Sequence, residues 1–410
     1  MTSEHTTVRS FRPDQNGGSR STIVDGHSSS VKTSTAILTR LGMTGKVGRV
    51  LAPKLDHLRG AGVRSVLSGR RDRRELDAWA AAARRSLYWR IWADAAARAG
   101  AECERLVDDF LLIRKGETQT VVWFHTVMLD FGVTLQLALD KVACHHLLSA
   151  AGIPMARYVE MDATDSRSGI RFMNERRGSP VVVKPARSTS GGEGVTCGVR
   201  TGDEFERARM AAWRWDSRIL IEEQGKGFEY RFLFLDGELV DVLMRQPPQV
   251  VGDGRSTVEE LIHLENRRRA DPGSRAGLAV LTVDLDCLFT LQRCGLALSS
   301  VPEKGRVVTV KSAVNQSGAE QVRSLPPEQV GADLVSDAAR AVKVMGLRFA
   351  GVDLMTPDPS RSLVDAGGVV IEVNGTPGLH YHYLVANRDE AVPVAVPILE
   401  ALFDSVRNGG

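Results

Sequence analysis

Apolar and polar positions along the chain follow two rhythms, and each switch between them marks an element. Unbroken or every-second apolar runs predict strands at Val47–Ala52, Phe110–Arg114, Thr118–Trp123, Pro180–Lys184, Arg218–Ile221, Phe228–Phe234 and Glu238–Met244. Further runs predict strands at Arg306–Lys311, Arg348–Met355 and Val369–Val373, and one more starting at Val195. Spacings of three and four predict helices over Arg74–Ala99, Lys141–Ala151, Asp203–Arg214, Ala332–Met345 and Asp389–Phe403. Asp140 suits an N-cap, and Gly152 with Pro154 a stop. Ser256 with Glu259 reads as a capping box for a helix reaching Arg269. Lys115-Gly116 and Asp236-Gly237 read as hairpin turns. Strands and helices mix without an internal repeat, which places the chain in a mixed α/β (α+β) class.

Residues 1–35 are rich in Ser, Thr and Gly and poor in large apolar groups, so they predict a disordered tail. Residues 36–135 read as one small α/β unit, 136–225 as a second, 226–405 as a third, and 406–410 as a short tail. The chain has 410 residues, with 53 Lys and Arg against 50 Asp and Glu. That near balance argues against a dedicated nucleic-acid binder. No apolar run approaches the roughly 20 residues that span a bilayer, and Thr2 to Gln15 is polar, so the reading is a cytoplasmic protein with no membrane partner. Cys103, Cys144, Cys197, Cys287 and Cys294 form no CxxC pair and read as buried apolar residues in a reducing compartment. The basic runs Arg70-Arg71-x-Arg73-Arg74 and Arg267-Arg268-Arg269 read as solvated faces, and Trp89, Trp92, Trp213 and Trp215 as core.

Five features look chemical. Lys141 opens a helix, where the dipole disfavours a cation, so either it faces solvent or an anion shares that helix start. Lys184 ends an apolar strand, where it either snorkels out or meets an anion. The small-residue loop Ser188-Thr189-Ser190-Gly191-Gly192-Glu193-Gly194 can bring backbone N–H groups close to phosphate oxygens; it matches neither GxGxxG nor a GxxxxGK[ST] loop. A connector, Glu222-Glu223-Gln224, precedes a strand carrying Glu229. Asp353 lies in an apolar strand, and Glu372 and Asn374 alternate onto one face of another, a set of oxygen donors suited to Mg²⁺.

Taken in order over about residues 136–405, these features resemble the ATP-grasp superfamily. The Glu222-to-Glu229 spacing and the run Glu372-x-Asn374-x-x-Pro377-Gly378 are similar to D-alanine–D-alanine ligases. The string Glu229-Tyr230-Arg231, the segment from Arg245-x-Pro247 to Gly254 with Thr257 and Leu261, Asn315 with Gly318, and Pro377-Gly378-Leu379 near His382 resemble the ATP-grasp part of cyanophycin synthetases more closely. The resemblance implies an ATP-grasp fold of two lobes clamping ATP, preceded by a small α/β domain. It implies that Lys141 and Lys184 hold phosphates under a loop that includes Ser188, Ser190, Gly191, Gly192 and Gly194. Glu222, Glu223 and Gly225 would line the adenine pocket, Glu229 would bind ribose, and Asn315 would belong to the nucleotide site. Asp353, Glu372 and Asn374 would hold Mg²⁺ (or Mn²⁺).

The implied activity joins a small-molecule carboxylate to an amine, amino acids or peptides, through an acyl phosphate; a homodimer is compatible with it. D-alanine–D-alanine ligases place an arginine where this chain has Gly351, so Arg245, Arg231 or Lys311 must supply that cation, with Arg245 favoured. His382, Tyr383 and Gly378 are the substrate candidates, and the bulky run His380-Tyr381-His382-Tyr383 argues against a D-alanine acceptor. Two alternatives remain: an ATP-grasp kinase acting on an alcohol, and a nucleotide sensor.

Overall fold

The computed structural model describes residues 75–187, 191–271 and 278–407. The predicted tail over 1–35, the strand Val47–Ala52, the Arg70–Arg74 cluster and Ser188, Thr189 and Ser190 lie outside the described residues.

Residues 75–99 form helix α1, which ends where Gly100 turns at a φ of +64°. A three-stranded antiparallel meander follows: β1 (Glu102–Val107), β2 (Phe110–Lys115) and β3 (Thr118–Trp123). The first of these, β1, was not predicted, because its sequence ECERLV carries few apolar residues and five of its six positions are exposed. Helices α2 (Gly132–Leu139) and α3 (Lys141–Ala150) come next, the second capped by Asp140, whose carboxylate accepts from the Val142 and Ala143 amides at 3.1 Å each.

A four-stranded antiparallel sheet has the order β4 (Tyr158–Asp162), β7 (Arg218–Glu223), β5 (Val181–Pro185), β6 (Thr196–Val199). Helices α4 (Arg167–Glu175) and α5 (Gly202–Trp213) pack on it through Phe172, Phe205, Ala208 and Ala212. Neither β4 nor α4 stands out in the sequence, since each carries only two or three apolar side chains among charged ones.

The larger sheet is five-stranded and antiparallel, ordered β12 (Val322–Ser324), β9 (Glu238–Arg245), β8 (Phe228–Leu235), β13 (Phe349–Thr356), β14 (Val369–Asn374). The pleat sorts its two faces. Tyr230, Phe232, Phe234, Val242, Ala350, Val352 and Leu354 point to one side and bury against α3 and helix α8 (Ala332–Met345). A fully buried Phe232 is worth roughly 2–3 kcal/mol by area alone. The alternate residues Glu229, Arg231, Arg245, Gly351 and Asp353 share the other face. At the far end of that face Leu233, Leu235 and Phe349 join α1 and the last helix, α11 (Ala395–Arg407), in a second core around Trp92. Beside the sheet, β10 (Gln249–Val251) and β11 (Val307–Thr309) form a ribbon packed on α6 (Val258–Ala270) and α7 (Leu285–Arg293).

Several local expectations are corrected. The capping box belongs to Thr257 and Glu260, one residue later than expected, because Asp253 already holds the Ser256 amide and hydroxyl at 2.7 Å each. The closing helix starts at Ala395, after Pro393, with only a 3₁₀ turn at Arg388–Glu390, and it continues through 406 and 407. Arg269 is not on a solvated face: it is fully buried and donates to Glu265 and to the Ala279 and Gln316 carbonyls. Trp92 is core, but Trp213 and Trp215 are exposed, and so is Cys294; Cys103 is half-buried. Among the described residues no helix is long and apolar enough to cross a membrane.

Candidate active site

The polar face of the five-stranded sheet carries the densest charge cluster. Register places Asp353 directly opposite both Arg231 and Glu372, Gly351 opposite Asn374, and Glu229 opposite Arg245. The Arg231 guanidinium grips Asp353 with both prongs, at 2.7 Å and 2.6 Å, and Arg245 reaches the same carboxylate at 3.0 Å. Arg245 also pairs closely with Glu229. Asn374 donates to Glu372 at 3.1 Å and to Asp353 at 3.3 Å. Three carboxylates thus face two guanidinium groups. Burial pushes the Asp353 carboxyl up, but Arg231 and Arg245 outweigh it and hold it well below the usual range. At Glu229 burial wins, and its carboxyl rises despite Arg245.

Gly351 explains why two arginines converge here. A Cβ at that position would lie 2.8 Å from the Pro377 Cβ and 3.6 Å from the Arg231 Nε. The guanidinium therefore arrives from β8 at a place that a side chain on β13 could not enter without moving Pro377. Lys311 does not join this cluster. Its ammonium is held by Asp284 at 2.5 Å and Thr282 at 3.0 Å, behind the Asn315 turn.

A second buried group sits on the four-stranded sheet. Glu222 accepts from the Lys184 Nζ at 2.7 Å through one oxygen and lies 3.1 Å from the His145 Nε2 through the other. All three residues are at most 4% exposed. Burial raises the Glu222 carboxyl, yet Lys184 and His145 bring it below the usual range. His145 was not singled out by the sequence, although it lies one helical turn after Lys141 and so shares its face of α3. No hydrogen bond or ion pair among the described residues holds the Lys141 ammonium. Its helix start is fixed instead by Asp140, which Arg187 and Arg218 grip at 2.6 Å and 3.1 Å. The Glu223 side chain is taken by Arg176, outside any base pocket, so only its main chain remains for the role expected of it.

Gly191, Gly192 and Gly194, the described part of the small-residue loop, all have φ between +70° and +74°. A Cβ on Gly192 would come within 2.9 Å of the Asn315 Oδ1, so the loop crosses against the Asn315 turn. Gly225 packs on Met355, which sets the connector beside β13. At the end of β14, Gly378 abuts His380, and His382 is buried on Asp241. Tyr383 is not free for substrate: its hydroxyl accepts from the Ala395 amide at 3.1 Å and so starts α11. Tyr88, His125 and Asp241 are further members of this region that the sequence reading missed, since α1, the segment after β3 and β9 meet there only in the fold.

Comparison with known proteins supplies the missing context. The family model for the D-ala D-ala ligase C-terminus matches residues 147–252. Cyanophycin synthetase from Nostoc sp. is 33% identical over 286 residues, 67% of this chain and 30% of that protein. The chain belongs to the ATP-grasp superfamily. The bifunctional glutathione biosynthesis protein of Enterococcus faecalis is 32% identical to this ATP-grasp chain over 263 residues, 59% of the chain and 32% of that protein. A crystal structure of a bifunctional glutathione synthetase from Pasteurella multocida aligns at a TM-score of 0.48 and 26% identity, over 76% of the chain and 43% of its own. The ATP-grasp chain spans about a third of the length of the curated relatives it matches.

The donor set fits the hard cation that such a site implies. Two carboxylates and an amide are the oxygen chemistry of Mg²⁺ or Mn²⁺. Glu372 and Asn374 are only part-buried, while Asp353 would reach a cation only by sharing oxygens already lent to Arg231 and Arg245. Among the described residues no group of three or more His, Cys, Asp and Glu forms a cage.

Proposed function

We propose that this ATP-grasp chain is an ATP-dependent carboxylate–amine ligase that activates a small acid, an amino acid or peptide, as its acyl phosphate and passes it to an amine. The observation that carries the reading is the cluster of Arg231, Arg245, Asp353, Glu372 and Asn374 on one face of one sheet. Phosphoryl transfer between oxyanions needs positioning and charge neutralisation more than a protein nucleophile, and that face offers both. The names of the relatives, two synthetases and a ligase family, point the same way.

In this reading ATP supplies the phosphoryl group and Mg²⁺ the charge that screens it. Asp353, Glu372 and Asn374 hold the cation. Arg231 and Arg245 neutralise the oxygen that leaves the phosphorus and the carboxylate that replaces it. Lys184, fixed by Glu222, and the unpaired Lys141 face the phosphates, while Glu229 binds ribose. The described part of the small-residue loop, Gly191 to Gly194 with Asn315 behind Gly192, would cover the site and keep water from the acyl phosphate.

The test is ADP release from ATP and Mg²⁺ with N-acetyl amino acids as acids, with and without free amino acids as amines. The ligase reading expects release that depends on the amine, with an amide in the product mass spectrum. Release without an amine, together with a stable phosphorylated product, would make the chain a kinase instead.

A further inference from the structure

His382 is fully buried, yet only one of its ring nitrogens has a partner. Its Nδ1 lies 2.6 Å from the Asp241 Oδ2, and its Nε2 has none. Asp241 is itself pinned. Its Oδ1 accepts from the Ser324 hydroxyl at 2.9 Å and from the Val242 amide at 2.8 Å. Ser324 is held in turn by Asn387 through two hydrogen bonds, at 3.1 Å and 2.8 Å. So many contacts fix the imidazole with Nδ1–H toward the carboxylate and leave a bare acceptor at Nε2. An unsatisfied buried nitrogen is costly, so this one calls for a partner.

Its place in the fold says what the lone pair meets. Asp241 lies on the same face of β9 as Arg245, four residues away, and so on the face that bears Arg231 and Asp353. The helix of His382, α10 (His380–Tyr383), begins six residues after Asn374, past the Pro377-Gly378 turn. The charged and titratable groups around the ring are Asp241 and Arg245 from β9, Arg231 from β8, and His380 and Tyr381 on its own helix; Ser324 on β12 backs the carboxylate. Burial, Arg231 and Arg245 lower the basicity of the imidazole and Asp241 raises it, with a net lowering, so the ring is neutral at neutral pH.

We propose that His382, oriented by Asp241, is the general base that takes the proton from the acceptor amine. The proposal rests on the ligase reading. An amino-acid amine is an ammonium ion at neutral pH and has no lone pair with which to attack. One N–H proton passes to the His382 Nε2. The freed pair forms the C–N bond to the acyl carbonyl, a second N–H proton leaves the nitrogen for the departing phosphate oxygen, and the C–O bond breaks with its electrons on phosphate, which leaves a neutral amide. The proton then leaves the imidazolium for the departing phosphate, and Asp241 stabilises the cation while it lasts.

The test compares two nucleophiles in the full chain. Hydroxylamine is uncharged at neutral pH and needs no base, whereas free amino acids do. His382→Asn keeps a donor toward Asp241 and removes the Nε2 acceptor. It is expected to slow amide formation with amino acids about 100-fold or more at pH 7, with recovery as pH rises toward the amine range. Hydroxylamine-dependent ADP release is expected to stay within about 3-fold of wild type. Asp241→Asn, which removes the charge beside Nδ1 and loosens the orientation of the ring, is expected to show the same selective loss, smaller in size. Equal losses with both nucleophiles, or no loss with either, would overturn the base role and leave the ligase reading standing. Wild-type protein that releases ADP with neither nucleophile would sink the ligase reading, and this inference with it.

Discussion

Gly227 shows how one backbone position sets the site. It sits at a φ of +89°, and a Cβ there would fall 2.2 Å from the Thr356 carbonyl oxygen. The connector from Glu222 to Glu229 therefore lies flush against the end of β13, and Glu229 enters its strand in register with Arg245. Gly116 has a similar left-handed φ of +59° with open space around it. Gly116→Ala should cost only the conformational term, about 1 kcal/mol, and Gly227→Ala about 3 kcal/mol or more, because backbone must also move. Urea unfolding of the two variants checks this, and equal losses would mean that the Thr356 contact is not tight. The sequence reading gave Gly227 no role of its own. The closeness of Thr356 depends on strand pairing more than a hundred residues away, which no local pattern encodes. Gly351 was legible as a missing arginine, but Arg231 filling the space beside it became visible only once β8 and β13 were paired.

Among the elements, the strand ending in Lys184 is the clearest case of chemistry written into a local pattern. A lysine in core register needs an anion, and the one it meets in the folded chain is Glu222 on the neighbouring strand, with His145 of α3 on the other oxygen. Lys184→Met would leave that carboxylate buried with a single partner and is expected to lower stability by about 3–5 kcal/mol. Adding Glu222→Gln should restore most of it, since the buried charge goes as well. Denaturant midpoints of the single and double variants decide; additive losses would show that the two side chains do not depend on each other. The strands and helices with dense apolar periodicity, such as β8, β9, β13 and α8, stood out in the sequence within a residue or so. Those it missed, β1, β4, β10, β12, α2, α4, α7 and α10, are mostly short and half-polar, and long-range packing rather than local rhythm decides them. The displaced cap at Thr257 has the same lesson at smaller scale: Ser256 was the right residue type, already engaged by Asp253.

The whole molecule brings histidines from distant parts of the chain into one buried region. Tyr88 on α1 lies 3.3 Å from the His125 Nδ1 and 3.0 Å from the His380 Nδ1, and His382 follows two residues later in α10. Burial pushes His125 down to about 4, takes His380 well below its ordinary range and lowers His382. All three stay neutral in the folded state, while the unfolded chain protonates them below about pH 6.5. The unfolded state then binds more protons, so stability falls as the pH drops from about 6.5 toward 4. Glu229, pushed up to about 7, works in the opposite direction, because the folded state holds its proton across the same window. Asp130 and Asp286 are also raised by burial, but they start from near 4 and oppose the histidines mainly below pH 5. Near pH 6 three histidines act against one carboxyl. The balance predicts a loss on the order of 1–2 kcal/mol per pH unit of acidification. Urea midpoints at pH 7.5, 6.5 and 5.5 should fall steadily, and His125→Phe should flatten the slope. A midpoint that holds constant across this range would mean that these rings accept protons in the folded state, and that the junction between α1 and the large sheet is open to water rather than dry.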